Sequence, residues 1–506
     1  MCRFESIDGV GGWASSRVRV ESGNVSVLNV PRRKPLFAQY RWPIWAAPTL
    51  VAGLFWISAA AGMSLPAGLP VWIVAAALLS SGGAQFFASG DHRITQIGAL
   101  AGLVGVLISL PLAFFVGPGE ALLLAATGLV GAWGAGRMAI HVEPFTEGVP
   151  EPEATLSVAA KVAGDELILG MEQVLGTTGF ALDGTIDRVA AEVDGMHALF
   201  ALQGFLEKAD GYHVRPPDLV DPEIRVQEIG GHRVEVLRFE SGYAPAEGEP
   251  GRDRWLGYDA CRDGWAYVLR HEGPPRPWVI ATNGFRMGHA RIDIGIFERF
   301  FNEGKGLGLN VLIPVLPLHG PRRLGWHSGS GFIGLNVIDT IHAETQALWD
   351  MRRLLSWIRS EDAPSVGAFG VSLGGLTTAN FASLAEGLSC AIPGIPLVEI
   401  SRIVERHASV HQIRYAEACG FDLERVAEIL RVINPLALSP QVPHRGRMIF
   451  GATADRLVTP DHVRDLWRHW EEPEIVWYQG SHISFMNERA VWAGVYRTMR
   501  ENGLSL

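Results

Sequence analysis

Two long stretches of this chain carry no charge. From Trp42 to Gly90, and again from Ile94 to Gly119, there is no Asp, Glu, Lys or Arg. A helix needs roughly 20 apolar residues to cross about 30 Å of hydrocarbon. Four spans are predicted, over about Trp45–Met63, Leu69–Ala88, Ile97–Val116 and Ala121–Gly136, the fourth being short. The breaks Ser64–Gly68, Ser89–Gln96 and Gly117–Glu120 hold Pro, Gly and the few charges, as expected where backbone returns to water. Gly98 and Gly102 form a G-x-x-x-G, and Gly128, Gly131 and Gly134 follow in the fourth span. These permit close helix approach or simply reflect a bias toward small residues. Trp42, Trp45, Trp56 and Trp72 are candidates for the two interfaces, although Trp56 falls mid-span.

Basic residues set the expected orientation. Arg17, Arg19, Arg32, Arg33, Lys34 and Arg41 precede the first span, Arg93 lies in the second loop and Arg137 closes the fourth span. Both ends are therefore expected on the cytoplasmic side of a multi-pass protein of the bacterial inner-membrane type. Ala59–Ala61 resembles a signal-peptide cleavage site, but the polar leader is too long and more spans follow.

The pattern then changes. Residues 141–154 are rich in Pro and Glu, as in a solvated linker. From Leu156 to Ala209 apolar residues recur at helical spacing, predicting two or three helices without recognisable chemistry. After Pro222, short strand-like runs alternate with helices: Arg233–Phe239, Trp265–Arg270, Trp278–Thr282, Asn310–Leu316, Val366–Val371, Ser389–Ile395, Met448–Ala452 and Ile475–Gln479. Most are unbroken apolar runs, which suit strands buried on both faces. The expected fold is α/β, a mostly parallel sheet flanked by helices and preceded by a transmembrane segment. The expected divisions are a basic segment at 1–41, the spans at 42–140, a linker and helical accessory region at 141–222, and a catalytic domain at 223–506. Within the last, a mostly helical insertion at about 397–446 is the candidate lid.

Composition narrows the function. The 506 residues include 43 basic and 53 acidic ones, a formal charge of −10, which argues against nucleic acid as partner. Four Cys without a C-x-x-C exclude a disulfide scaffold and suggest no structural zinc. His407 and His411 are four apart, but with no third ligand and no H-E-x-x-H neither a metal site nor a cofactor is expected. The run from Gly304 to Gly308 lacks phosphate-loop spacing and reads as a helix end. Cys390 reads as core.

The stretch with chemistry is Gly370-x-Ser372-x-Gly374, between a buried strand and a helix. A nucleophile on such a turn adopts strained backbone, and flanking glycines remove the Cβ atoms that would clash. The following helix N-terminus aims N–H groups at any oxyanion formed there. A Ser hydroxyl needs a base. Asp455 and His482 follow on later strand ends, with Asp455 placed to orient His482 and His482 to take the Ser372 proton. Asp461 is a rival acid, and His462 and His469 rival bases, all within the intervening helix.

With this Ser–Asp–His order, elbow and strand set, the chain from about Arg233 onward resembles the α/β-hydrolase superfamily. The resemblance implies oxyanion donors at the Leu373 N–H and in the loop after the third strand, Ala281–Arg286. There Asn283-Gly284 replaces the usual His-Gly pair, and the Phe285 N–H is the expected second donor. Asn283, His319, Arg322 and Arg323 are expected near the same sheet edge as candidate substrate contacts, the last three suited to an anionic head group. The expected function is a membrane-anchored serine hydrolase acting on a lipophilic ester or acyl-lipid, with membrane lipid as its surroundings. A thioesterase or peptidase of the same fold is an alternative, because triad geometry does not select the leaving group. A non-catalytic scaffold with a vestigial hydrolase fold is another. A transporter is disfavoured by the absence of charge within the spans.

Overall fold

The computed structural model describes residues 44–87, 92–144, 146–176, 185–304, 306–408 and 410–505. The basic leader and Trp42 lie outside the described residues. The apolar region forms four helices, α1 (Ala47–Ala61), α2 (Leu65–Phe87), α3 (His92–Val116) and α4 (Pro118–Val142), all long and apolar enough to cross a bilayer. α1 packs on α2 and α4, and α3 packs on α2 and α4. A Cβ on Gly102 would stand 2.5 Å from the Gly128 carbonyl oxygen, and one on Gly128 would stand 2.7 Å from that of Gly102. The small residues therefore do bring α3 and α4 backbone to backbone.

Two expectations need correction. The fourth helix is not short, because Arg137 does not end it. Its guanidinium lies over the Trp45 ring at 4.4 Å, and the helix continues to Val142, about 7.5 Å or a little over one turn further, to pack against the next element. Trp56 is not interfacial either. It is fully buried among α1, α2 and α3, where Gly105 makes room for its ring.

Two helices follow, α5 (Leu156–Gly176) and α6 (Thr185–Gln203). α5 lies against the end of the bundle where α3 begins and α4 finishes. A Cβ on Gly136 would meet the Ala159 carbonyl oxygen at 2.2 Å, and one on Gly170 would meet that of Gln96 at 3.1 Å. The connector before α5 is not simply solvated. Glu143 pairs with Arg406 and Arg456 of the sheet domain, and Val149 is buried.

The remainder is built on one nine-stranded sheet: β1 (Glu223–Ile229), β2 (His232–Glu240), β3 (Asp263–Leu269), β4 (Trp278–Thr282), β5 (Asn310–Val315), β6 (Val366–Val371), β7 (Cys390–Gly394), β8 (Met448–Ala452) and β9 (Glu474–Tyr478). The spatial order is β1-β2-β3-β5-β4-β6-β7-β8-β9. β3 runs antiparallel to both β2 and β5, and β5 through β9 are parallel. This order, with the crossover of β4 and β5, is the α/β-hydrolase sheet, and β1 is an added, exposed edge strand. β4 to β8 are buried along their whole length. One face carries Phe297, Phe300, Phe369, Phe450 and Trp492; the other carries Trp278, Leu354, Trp357, Phe381 and Trp470.

The insertion between β7 and β8 is mostly helical, with helices Ile400–His407, Val410–Ala418 and Leu423–Ile429. Its Ile400, Phe421, Val426 and Ile429 share one apolar cluster with Val189, Val193 and Met196 of α6. The same cluster reaches Leu373 and Leu376, just beyond Ser372.

Candidate active site

Ser372 sits between β6 and the helix Leu373–Leu384 with φ 59° and ψ −119°. A side-chain-bearing residue persists there only if its surroundings enforce the turn. They do so through contacts that leave no space for Cβ atoms. A Cβ on Gly370 would lie 2.1 Å from the Gly374 carbonyl oxygen, and one on Gly374 would lie 2.3 Å from that of Thr282. The Ser372 N–H donates to the Gly394 carbonyl at 3.0 Å, and its carbonyl accepts from Leu397 at 3.1 Å, so β7 and the chain after it pin the turn.

The loop after β4 reaches the same point. A Cβ on Gly284 would stand 3.3 Å from Ser372 Cβ and 3.8 Å from its Oγ. Leu373, first in its helix, has a backbone N–H with no intrahelical acceptor. Neither it nor the Phe285 N–H donates to another backbone group among the described residues. The start of the helix after Ser372 and the loop of Gly284 and Phe285 thus both border a partly exposed Ser372.

Asp455 lies in the loop after β8. Its Oδ1 accepts the N–H groups of Leu457 and Val458 at 3.0 and 2.9 Å, which fixes the carboxylate. Its Oδ2 stands 2.7 Å from His482 Nδ1, in the loop after the neighbouring β9. That bond holds the Nδ1 proton and leaves Nε2 as the acceptor of a neutral ring. Both side chains are buried. Burial works to lower the His482 pKa, but the charge and hydrogen bond of Asp455, and the charge of Asp165, outweigh it and raise it. The structure thus joins Asp455 to His482 and Gly284 to Ser372. It does not place the Ser372 hydroxyl in hydrogen bond with His482, or with any other described residue.

The rivals are otherwise engaged. Asp461 pairs with Arg402 at 3.2 Å. His462 Nδ1 accepts the backbone N–H groups of Val398 and Glu399, and His469 Nε2 meets the Leu438 carbonyl. His407 Nε2 lies 2.9 Å from the Leu457 carbonyl, and the His411 side chain lies outside the described residues.

Of the expected substrate contacts, Asn283 is buried with neither side-chain amide atom bonded to a described residue. His319 is also buried. Its Nδ1 donates to the Pro317 carbonyl, its ring packs edge-on against Phe285 and Phe332, and burial lowers its pKa to about 4. A neutral imidazole cannot serve as the expected cationic contact. Arg322 requires correction too. It turns inward, donates to the Val315 and Cys261 carbonyls and pairs with Asp350 at 3.0 Å, because that buried carboxylate attracts it more strongly than solvent.

The residues that sequence reasoning missed are on α5. Asp165, fully buried, accepts the backbone N–H of His482 at 2.8 Å and of Arg456 at 3.1 Å. Glu166, equally buried, accepts Arg456 Nε at 2.7 Å and the Thr95 hydroxyl at 2.6 Å. A signal existed: both acids share a helical face with Val158, Val162 and Leu169, and charge in an apolar stripe implies buried partners. Among the described residues there is no group of three or more Cys, His, Asp or Glu able to hold a metal ion.

No protein-family model matches this chain. Among solved structures, it is similar to the acetyl xylan esterase from Paenibacillus sp. R4, with 17% identity, a TM-score of 0.40, and coverage of 59% of this chain and 98% of that one. Acetyl xylan esterase 1 from Thermoanaerobacterium sp. shows 15% identity and a TM-score of 0.40 over 60% of this chain and 98% of its own. Two uncharacterised proteins of Mycobacterium tuberculosis are each 39% identical over 361 residues, covering 70% of this chain and 85% of theirs. That share exceeds what residues 223–506 make up, so the common part reaches back into the helices before the sheet. The chain therefore belongs to the same family as these two mycobacterial proteins, and its sheet has the strand order of the α/β-hydrolase fold.

Proposed function

We propose that this protein is a membrane-anchored serine hydrolase that cleaves a lipophilic ester or acyl-lipid through an acyl-enzyme. The carrying observation is the strained turn at Ser372, bordered by the loop of Gly284, on the same sheet edge as the bonded Asp455–His482 pair. Ser372 Oγ attacks the carbonyl carbon while His482 Nε2 accepts its proton. The carbonyl π electrons move to oxygen, and the N–H groups of Leu373 and Phe285 bind the oxyanion. As the tetrahedral species collapses, the alcohol leaves with the proton from His482. Water, deprotonated by the same ring, then attacks the acyl-Ser372 ester and frees the acid.

The apolar surroundings support a lipophilic acyl group. Leu373, Phe285, Leu397 and Phe332 belong to or pack on the cluster formed by α6 and the helical insertion. The insertion is positioned to act as a lid that excludes water. Four spans return the chain to its starting side, and the charge distribution of the leader favours the cytoplasmic face for the catalytic domain.

The test is labelling of the full-length chain, in detergent or bilayer discs, by a fluorophosphonate probe, followed by an ester and acyl-lipid panel. Labelling that disappears in Ser372→Ala supports the enzyme. A folded wild type that takes no label overturns it in favour of a scaffold.

A further inference from the structure

The stem helix α5 contributes two buried carboxylates whose hydrogen bonds go to the loops of the candidate site and to a membrane helix. Asp165 Oδ2 accepts the N–H of His482 at 2.8 Å and of Arg456 at 3.1 Å, and Oδ1 accepts that of Ile483 at 3.4 Å. One side chain therefore bridges the loop of Asp455 and the loop of His482. Next to it, Glu166 joins Arg456 to Thr95 at the start of α3. Arg456 also pairs with Glu143 at the end of α4, and Glu143 pairs with Arg406 of the insertion. Taking carboxylates out of water is costly, and only well-aligned ion pairs and hydrogen bonds to their lone pairs offset that cost. Burial pushes Glu166 up to about 8, and burial followed by the Asp455 charge pushes Asp165 up to about 7. An apolar pair at 165 and 166 would complete the helix stripe at no such cost, but it would leave three loop N–H groups and Arg456 Nε without their acceptors.

We propose that Asp165 is a positioning residue of the active site, holding the Asp455 and His482 loops in register through their backbones, and that Glu166 couples this clamp to α3 through Thr95. The site is thus complete only when the membrane helices are seated on α5. The inference rests on the proposed acyl-transfer role of Ser372, Asp455 and His482. Once ionised, above its own raised pKa, Asp165 also adds a second negative charge beside His482. The groups around this pair are Asp455 and Arg456 from the loop after β8, Tyr478 from β9, Glu166 from α5 and, through Asp455 and Glu166, Arg406 from the insertion.

The test uses the full chain in bilayer discs and an ester that the wild type hydrolyses. Asp165→Ala is expected to lower kcat about 100-fold, the scale of a misplaced catalytic group, with KM little changed. Asp165→Asn keeps one acceptor oxygen but loses the charge, and one amide oxygen can still hold the His482 N–H. It is expected to recover about tenfold of that loss and to move the acid limb of the kcat profile to lower pH. Thr95→Val, outside the catalytic domain, is expected to lower kcat by about three- to tenfold with KM unchanged. If Asp165→Ala does not fold, Asp165→Asn decides: kcat and acid limb equal to wild type overturn the clamp. Thr95→Val with wild-type kcat overturns the coupling to α3. Ser372→Ala separates the two readings. Wild-type activity lost in Ser372→Ala but unaffected at 165 and 95 refutes this inference alone, whereas an unlabelled, inactive wild type refutes the proposed function and this inference with it.

Discussion

Asp455 Oδ2 lies 2.7 Å from His482 Nδ1, a buried hydrogen bond between loops that follow adjacent parallel strands. Twenty-seven residues separate the two in sequence. The pairing fixes one imidazole tautomer before any substrate arrives, and the expected chemistry follows from that.

Removal of Ser372 or His482 should therefore abolish most turnover. Ser372→Ala and His482→Ala are each expected to lower kcat by about 10⁶, and Asp455→Asn by about 10⁴ because the amide favours the wrong tautomer. Asp461→Asn should turn over like wild type, since Asp461 serves Arg402. Steady-state ester hydrolysis checks this; equal losses at 455 and 461 would sink the carboxylate assignment.

The pH profile should carry the sign of the His482 shift. The ring accepts the Ser372 proton only when neutral, so activity falls as pH drops through its pKa. Asp455 and Asp165 raise that pKa above the ordinary 6.5. The acid limb of kcat/KM should thus lie on the alkaline side of an ordinary histidine. Neutralising a neighbouring carboxylate destabilises the imidazolium, so in Asp455→Asn the limb should move to lower pH. A shift to higher pH would contradict the electrostatic account.

The glycines around the turn should separate folding from turnover. A methyl on Gly374 would overlap the Thr282 carbonyl at 2.3 Å, and backbone on both sides must move. Gly374→Ala is expected to lose about 1–3 kcal/mol or more in denaturant unfolding. The methyl of Gly284→Ala meets the Ser372 Cβ at 3.3 Å and, at ordinary contact distance, the Val371 carbonyl oxygen at 3.5 Å. It should fold normally while kcat falls about 10- to 100-fold, because the methyl crowds the hydroxyl. A Gly284→Ala protein with wild-type kcat would show that this loop does not border the reacting centre.

Arg322 should matter for stability rather than for binding. It and Asp350 are both buried, 3.0 Å apart. Arg322→Met leaves an unpaired buried carboxylate and should cost about 3–5 kcal/mol. The remaining folded protein should keep its KM. A raised KM with unchanged unfolding would restore Arg322 as a substrate contact.

Much of this arrangement was legible because its causes are local. The elbow at Gly370–Gly374 declares itself through a buried strand, a turn and a helix within about a dozen residues. Asp455 and His482 are recognisable as strand-end residues, whereas His462 and His469 fall within a helix. The apolar runs at Val366–Val371 and Met448–Ala452 read as strands buried on both faces, and they are. Other features depended on distant partners. Arg322 reads as a free cation beside His319 until Asp350 is folded against it. Arg137 reads as a helix end until Trp45 is placed under it. Asp165 and Glu166 read as ordinary acids on an amphipathic helix, although their main partners lie about 300 residues onward.

The amino-acid sequence by itself determined the elements, the four apolar helices, the sheet and the choice of Ser372, Asp455 and His482 as candidates on its strand ends. Each of these follows from periodicity, chain length and turn chemistry, which act over a few residues. Only the tertiary structure decided which charges are buried, which loops share one carboxylate and which cations turn inward. Those outcomes depend on desolvation and on partners brought together by folding, and neither is written at any single position.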